Sequence, residues 1–425
     1  MPLSSSFRLR AALAVLMMLL ATPAALAQQP IKVGIVTLLS GPAAGPFGVP
    51  ARNSAELMAE SLNAGGVPAP HTQKGFGGTP IELIIIDEAG GPQKQVAEYR
   101  NLVSRVDLVI GYISSGDCLA IAPVAEELKK LTILFDCGTP RIFEDASYKY
   151  VFRTGATGTM DNVSVALYLV ERNPNVKSIA GINQNYAWGQ DSWADFENAM
   201  KALKPGIEVK TSQMPKFLAG QFGAEITTLL GSGAEVIHSS MWGGDLEGLV
   251  LQGAPRGLFE KHKVILSAGE PAINRLGTRI PDGTILGARG PFGPFAPDTE
   301  LARWLKTSYQ DRYQVPPNYA SFKMAQAILG VKAAYEKAKG TGDVASDQER
   351  IIAALENLIF EGPGGTVKMS LGKGHQAVMD AAVGTTKVEG GQLKIVDIER
   401  YPADKVNPPD GIKSEAWIKS SLKAK

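Results

Sequence analysis

Twice along this 425-residue chain, short continuous apolar runs alternate with stretches of helical periodicity, and no other feature limits the fold as much. In the first set, "IKVGIVTL" (31–38) precedes a helical stretch near 51–63, and "IELIIID" (81–87) precedes "QKQVAEYRNLVSR", where Val96, Tyr99, Leu102 and Val103 share one face. "DLVIG" then leads into a helix carrying Ile121, Val124, Ala125 and Leu128, and "LTILF" (131–135) and "YKYVFRT" (148–154) complete the set. Apolar runs without alternation are expected of parallel strands covered on both faces. Strands that alternate with helices in this way predict a doubly wound α/β lobe.

The pattern restarts with "VKSIAGIN" (176–183), "GIEVKT" (206–211), "AEVIHSS" (234–240), "KVILSAG" (263–269) and "GTILGA" (283–288). Two long helical stretches (299–313 and 319–339) and a shorter one (348–357) follow. After them "TVKM" and "QLKIVDIERY" read as strands near a turn at Gly390-Gly391. The chain beyond its leader exceeds what one hydrophobic core usually organises, so the reading is two similar lobes, with the late helices and strands recrossing between them. Only the Lys-rich C-terminal tail and the Gly/Pro segment 65–80 suggest disorder.

Arg8 and Arg10 precede a short apolar run (11–20), and Ala25-Leu26-Ala27 has the small-x-small pattern of a cleavage site. Residues 1–27 therefore read as a secretory signal peptide, with a retained anchor as the alternative. No cysteine precedes Cys118, which excludes a lipidated N-terminal cysteine. Loss of the two leader arginines turns the net charge from +1 to −1. A nearly neutral chain without basic blocks gives no reason to expect nucleic acid or an anionic membrane as partner. Cys118 and Cys137 each follow an apolar run at what should be the same edge of neighbouring strands. They suit one disulfide in an oxidising compartment, with two buried thiols as the alternative.

Catalytic patterns are weak. In "GYISSG" the glycine stands three residues before Ser114, with Tyr112 where a nucleophile elbow needs glycine. None of His71, His238, His262 and His375 has a neighbourhood that marks it as a base. Phosphate-loop and metal-ligand spacings are missing, so no cofactor or metal is expected. Trp188, Trp193 and Trp242 suit core packing, but a tryptophan in "MWGGD" also suits a ligand wall. In open α/β sheets ligands bind beyond the carboxyl ends of strands, where loops meet helix N-termini. Ser115, Gly138 and Thr139 sit at two such ends and make a candidate carboxylate site. Glu270 follows a third strand end and is a candidate partner for an ammonium, or else a solvated loop acid. The set reads as binding without chemistry, so no enzyme is expected.

These residues also fall in an ordered series: "IKVGIVTLLSGPAAGPFG", "LMAESLNAGGV", "IELIIIDEAGGP", "VIGYISSG", "FDCGTPRIFE", "VFRTG", "INQNYAWGQD" and "FEGPGGTV". The series resembles the branched-chain amino-acid-type periplasmic binding proteins, the type I substrate-binding subunits of ABC importers, over essentially the whole chain after the leader. The resemblance implies two flavodoxin-like lobes joined by three crossovers, near Thr154, Gly287 and Gly362. Lobe 1 would comprise residues 28–153 and 288–361, and lobe 2 residues 154–287 and 362–405, with 406–425 as a tail. It implies that Ser115 and Thr139 hold an α-carboxylate with help from the Gly138 backbone. Glu270, four residues before Asn274, would pair with an α-ammonium.

The same resemblance has Tyr186 facing the ligand from lobe 2, and Phe47 and Trp242 standing at the pocket wall. Ser114 sits where some relatives have cysteine, Asp245 adds an acid, and Arg289 offers a second carboxylate contact. An amino acid, an aromatic or dicarboxylic acid, or a small amide is therefore open as ligand. The implied protein is a periplasmic monomer that captures a small amino acid or related carboxylate between two closing lobes and delivers it to a membrane permease, with the aromatic or dicarboxylic acid and the amide as alternatives. A sensory ligand-binding module on the same lobes is the competing class.

Overall fold

The computed structural model describes residues 29–339 and 344–422. The first set of apolar runs forms five parallel strands: β1 (Ile31–Thr37), β2 (Ile81–Asp87), β3 (Leu108–Gly111), β4 (Thr132–Leu134) and β5 (Val151–Arg153). They lie in the order β2-β1-β3-β4-β5. Helices α1 (Val49–Ala64), α2 (Pro92–Leu102) and α3 (Ser115–Glu127) cover the sheet. β3 and β4 are buried at every position, as their unbroken apolar sequences require.

After β5 the chain crosses to the second lobe through α4 (Gly158–Arg172). The five expected strands follow there: β6 (Ser178–Ile182), β7 (Glu208–Gln213), β8 (Val236–Ser239), β9 (Lys263–Leu266) and β10 (Ile285–Gly287). Helices α5 (Ala187–Leu203) and α6 (Gly243–Gly253) open at the carboxyl ends of β6 and β8. β7 lies at the sheet edge, and its polar sequence "EVKTSQ" alternates between exposed and half-buried positions.

The chain then returns to the first lobe. α7 (Glu300–Tyr313) is capped by Thr299, and α8 (Tyr319–Ala338) by Asn318, whose side chain accepts from Ala320 N and Ser321 N. Both helices pack on α1, and α8 is buried along nearly its whole length. After α9 (Val344–Leu355) come β11 (Ile359–Gly362), β12 (Gly365–Leu371) and β13 (Gln376–Val378), which extend the first sheet beyond β5.

This placement corrects the third crossover. The resemblance implies a crossover near Gly362, but "GPGG" at 362–365 is a tight hairpin turn, with Gly362 opposite Gly365. β13 then pairs in parallel with β5, so the chain changes lobes only between residues 378 and 381. β14 (Ala381–Glu389) and β15 (Gln392–Tyr401) form an antiparallel hairpin on the second sheet around the Gly390-Gly391 turn. Both sheets are therefore mixed rather than purely parallel, eight-stranded and seven-stranded.

The C-terminal segment is also more ordered than its lysines suggest. α10 (Ser414–Lys419) docks on α5 and buries Trp417 and Ile418. The leader expected at residues 1–27 lies outside the described residues. Among the described residues no helix is long and apolar enough to cross a membrane.

Candidate functional site

Loops at the carboxyl ends of strands from both sheets meet at one small cavity between the lobes. Its wall is Ile113, Ser115, Asp136 and Gly138 from the first lobe, Tyr186, Trp188, Trp242 and Ala268 from the second, and Arg289 and Tyr319 from the segment that recrosses. The centre of a water molecule sweeps about 10 Å³ here, room for about one water. A solute the size of a ring enters only if these walls part.

Arg289 dominates the chemistry. Its Nη1 donates to Asp136 Oδ1 and to the Asp136 carbonyl, each at 2.6 Å, and its Nε donates to Asp161 Oδ2 at 3.1 Å. Nη2 is buried and has no partner. Burial opposes the charge, but Asp136 and Asp161 outweigh it and push the guanidinium further up from its ordinary value. The group lies over the Trp188 ring, 4.5 Å from its centroid. Arg289 sits at φ 51°, a left-handed backbone that an arginine adopts only when its surroundings hold it there.

Gly138 lets Nη2 approach the first lobe. A Cβ at this position would stand 2.5 Å from Arg289 Nη2 and 2.2 Å from the Trp188 ring. Ser115 Oγ accepts from Gly138 N and Thr139 N, both at 3.2 Å. Its two acceptor sites are thereby used, which leaves the hydroxyl proton to be donated. Asp136 also holds Lys323, whose Nζ donates to Oδ1 at 2.9 Å, and Asp136 Oδ2 has no partner. Burial and the nearby Arg289 pull Lys323 down to about 8.

The aromatic wall is fixed from behind. Trp242 Nε1 donates to Tyr186 Oη at 2.8 Å, and Tyr186 stacks on Phe217 at 4.6 Å. Phe47 does not line the cavity. It meets Trp242 edge-on at 5.2 Å and Tyr319 at 5.4 Å, so it supports two wall residues from the outside.

The structure thus brings together Ser115, Gly138, Tyr186, Trp242 and Arg289 and leaves other expected residues outside. The Thr139 hydroxyl donates to Asp191 Oδ2 of the second lobe at 2.6 Å and faces away from the cavity. Ser114 caps α3 by accepting from Asp117 N and lines a neighbouring pocket. Asp245 accepts from Gln184, Leu218 N and Gly220 N and so fixes the loop at 217–220.

Glu270 is the largest departure. It lines a different cavity with Lys306 and Gln310, and its Oε2 accepts from Tyr319 N at 2.9 Å. Burial lifts its carboxyl to about 8, so near neutral pH it is largely uncharged and ill suited to hold an ammonium. Asp136, Trp188 and Tyr319 take part in the site without having been singled out for it. Asp136 directly precedes the Cys137-Gly138 pair at the end of β4, and Trp188 directly follows Ala187 in "NYAWG". Tyr319, at the start of a long buried helix, gave no sequence signal.

Each of the four histidines hydrogen-bonds elsewhere: His71 to Glu361 O, His238 to Asn162, His262 to Ala234 O and His375 to Val151 O. None activates Ser114 or Ser115. Cys118 and Cys137 form a disulfide that ties the start of α3 to the loop bearing Gly138.

Two α/β lobes whose strand ends meet at one cavity lined by polar groups make a ligand-binding protein of the two-lobed class. A profile of the periplasmic binding protein family matches residues 30–392, and the chain belongs to that family. It is 23% identical to the Leu/Ile/Val-binding protein homolog 4 of Brucella melitensis over 385 residues, 87% of each chain. A solute-binding protein of an ABC transporter from R. palustris, solved with benzoate, superimposes with a TM-score of 0.76 at 20% identity. That comparison covers 91% of this chain and all of the other. The closed leucine-, isoleucine-, valine-, threonine- and alanine-binding protein of Brucella ovis superimposes with a TM-score of 0.75 at 20% identity, covering 90% of this chain and 97% of that one.

Proposed function

We propose that this protein is the periplasmic substrate-binding subunit of an ABC importer and captures a small aromatic monocarboxylate between its lobes. One observation carries the reading: Arg289 Nη2 is buried and unpartnered in a cavity walled by Trp188, Trp242, Tyr186 and Tyr319. A buried guanidinium edge is the donor geometry a carboxylate fits. Ser115 Oγ adds a second donor to the same anion. The rings offer stacking and edge contacts to an arene. Benzoate in the R. palustris protein is in keeping with this choice. The leader, the family and the near-neutral surface support a soluble periplasmic carrier that hands its ligand to a membrane permease.

A zwitterionic amino acid is the second reading, supported by Asp136 Oδ2, a buried acceptor without a partner on the same cavity. An ammonium there would compete with Arg289 and Lys323, which already share Oδ1 of this carboxylate. For that reason the aromatic acid comes first. Calorimetric titration of refolded, ligand-stripped protein with benzoate and with leucine decides between them. Benzoate binding that falls roughly tenfold or more in Arg289→Gln supports the first reading, since a hydrogen bond to a charged group contributes about 1.5–3 kcal/mol. Binding of leucine but not benzoate supports the second and removes the first.

A further inference from the structure

The largest chemical irregularity outside the cleft is at the hinge. Arg153, the last residue of β5, is fully buried where the chain first leaves lobe 1. Its Nε donates to Gln376 Oε1, and its Nη1 donates to the carbonyls of Cys137 at 3.0 Å and Thr139 at 2.7 Å. All three acceptors are neutral, and among the described residues no carboxylate forms an ion pair with this guanidinium. Nη2 has no partner. Glu144, the acid whose charge acts on it, spends Oε1 on Ser414 N and Ser414 Oγ. Burial, reinforced by Arg289, pulls the Arg153 guanidinium down to about 9. A buried cation without a counter-charge is costly unless something supplies one.

Arg153 also belongs to the wall of a cavity of about 350 Å³, separate from the cleft and within the size range of small-molecule sites. Phe143 lies beside the guanidinium, with 5.7 Å between Cζ and the ring centroid. Pro408 and Pro409 line the same cavity, together with Lys373, Lys413 and the carboxylates of Glu144 and Asp410, and Lys413 pairs with Asp145 at 2.7 Å. Thr157, another lining residue, has a buried hydroxyl with no partner. Two residues with orphaned donors and an apolar wall therefore border one space, between the first crossover, β13 and the C-terminal segment.

We propose that this hinge cavity is a second ligand site, which takes a small organic carboxylate with its charge on Arg153 Nη2 and Thr157 Oγ1 and its apolar body against Phe143 and Pro408-Pro409. The anion would add to the counter-charge that Glu144, its Oε1 engaged by Ser414, supplies only in part. It would also sit directly behind the loop at 137–139, whose other side faces Arg289.

Fluorine NMR with 4,4,4-trifluorobutyrate as probe tests this on the full-length mature chain. A bound resonance is expected, with an affinity that falls roughly tenfold or more in Thr157→Val, the loss of one hydrogen bond to a charged acceptor. Arg153→Gln should abolish it. Because Arg153 also holds two backbone carbonyls, Ser147→Phe, which fills the cavity from its wall, provides a variant that leaves the guanidinium in place and should likewise remove the resonance. No bound resonance at millimolar probe, or one indifferent to Thr157→Val and Ser147→Phe, overturns the proposal.

Discussion

At the residue scale, similar sequence signals led to different outcomes. Ser115 and Gly138 were legible because small residues at strand ends have few reasons to be there other than close approach. Thr139 carries the same signal, yet its hydroxyl turns to Asp191, a choice fixed by a helix of the other lobe. Glu270 was legible as an acid at a strand end but not as a buried one. Its environment depends on Tyr319 and Gly293, distant in sequence; a Cβ on Gly293 would stand 2.0 Å from Glu270 Oε1.

The pH behaviour of Glu270 follows from its burial. The native state holds the proton up to about pH 8, while the unfolded chain releases it near 4.5. The unfolded state therefore binds fewer protons across that window, and this group lowers stability as pH rises from about 4.5 to about 8. Glu270→Gln keeps an acceptor for Tyr319 N without the ionisation. Urea denaturation should show little difference from wild type at pH 4 and a more stable variant at pH 8.5. Lys323 gives a second test at this scale. Its charge favours an anion in the cleft and is lost as pH rises through about 8. Carboxylate affinity should fall above that pH in wild type, and the fall should flatten in Lys323→Met, as read by titration across pH.

At the element scale the sequence was clearest where strands are apolar and fully buried. β1, β3, β6, β8 and β9 appear where continuous β-branched runs place them. β13 has only three residues, and β14 begins "AAVG", so neither carries a pattern a reader would separate from loop. The crossover implied near Gly362 also shifts, because the pairing of β13 with β5 is what keeps β12 in the first lobe.

The disulfide is the element-scale device closest to the site. It joins residues 19 apart in sequence and pins α3, whose first residue is Ser115, to the strand end carrying Gly138. Closing a loop of that length removes about 3 kcal/mol of freedom from the unfolded chain. Cys118→Ala with Cys137→Ala should lower stability in denaturant by about that amount. Native α/β content should persist by circular dichroism, since both sulfurs lie inside an apolar cluster.

At the scale of the whole molecule, closure rests on contacts that exist only when the lobes meet. Asp191, on α5 of the second lobe, accepts from Thr139 Oγ1 at 2.6 Å and from Arg141 Nε at 2.9 Å and Nη2 at 2.5 Å, all from the first lobe. Phe47 against Trp242 is a second contact across the cleft. Sequence could not show this pairing, because Asp191 is one of three acids on an amphipathic helix until the lobes are placed.

Because Asp191 and its partners lie on different lobes, a hinge opening would break the ion pair, which therefore favours the closed form without entering either lobe's own packing. Asp191→Ala should therefore shift the population toward open without unfolding either lobe. Charge-assisted hydrogen bonds contribute about 1.5–3 kcal/mol, which by itself multiplies the open-to-closed ratio roughly tenfold or more and lowers the closed fraction accordingly. Apparent affinity falls with that fraction. Small-angle scattering of unliganded Asp191→Ala should give a larger radius of gyration than wild type. Saturating carboxylate should restore the compact form, because a ligand that binds only between closed lobes supplies the missing closing energy. Weaker binding with an unchanged radius would instead place the effect of Asp191 on the Gly138 loop through Thr139.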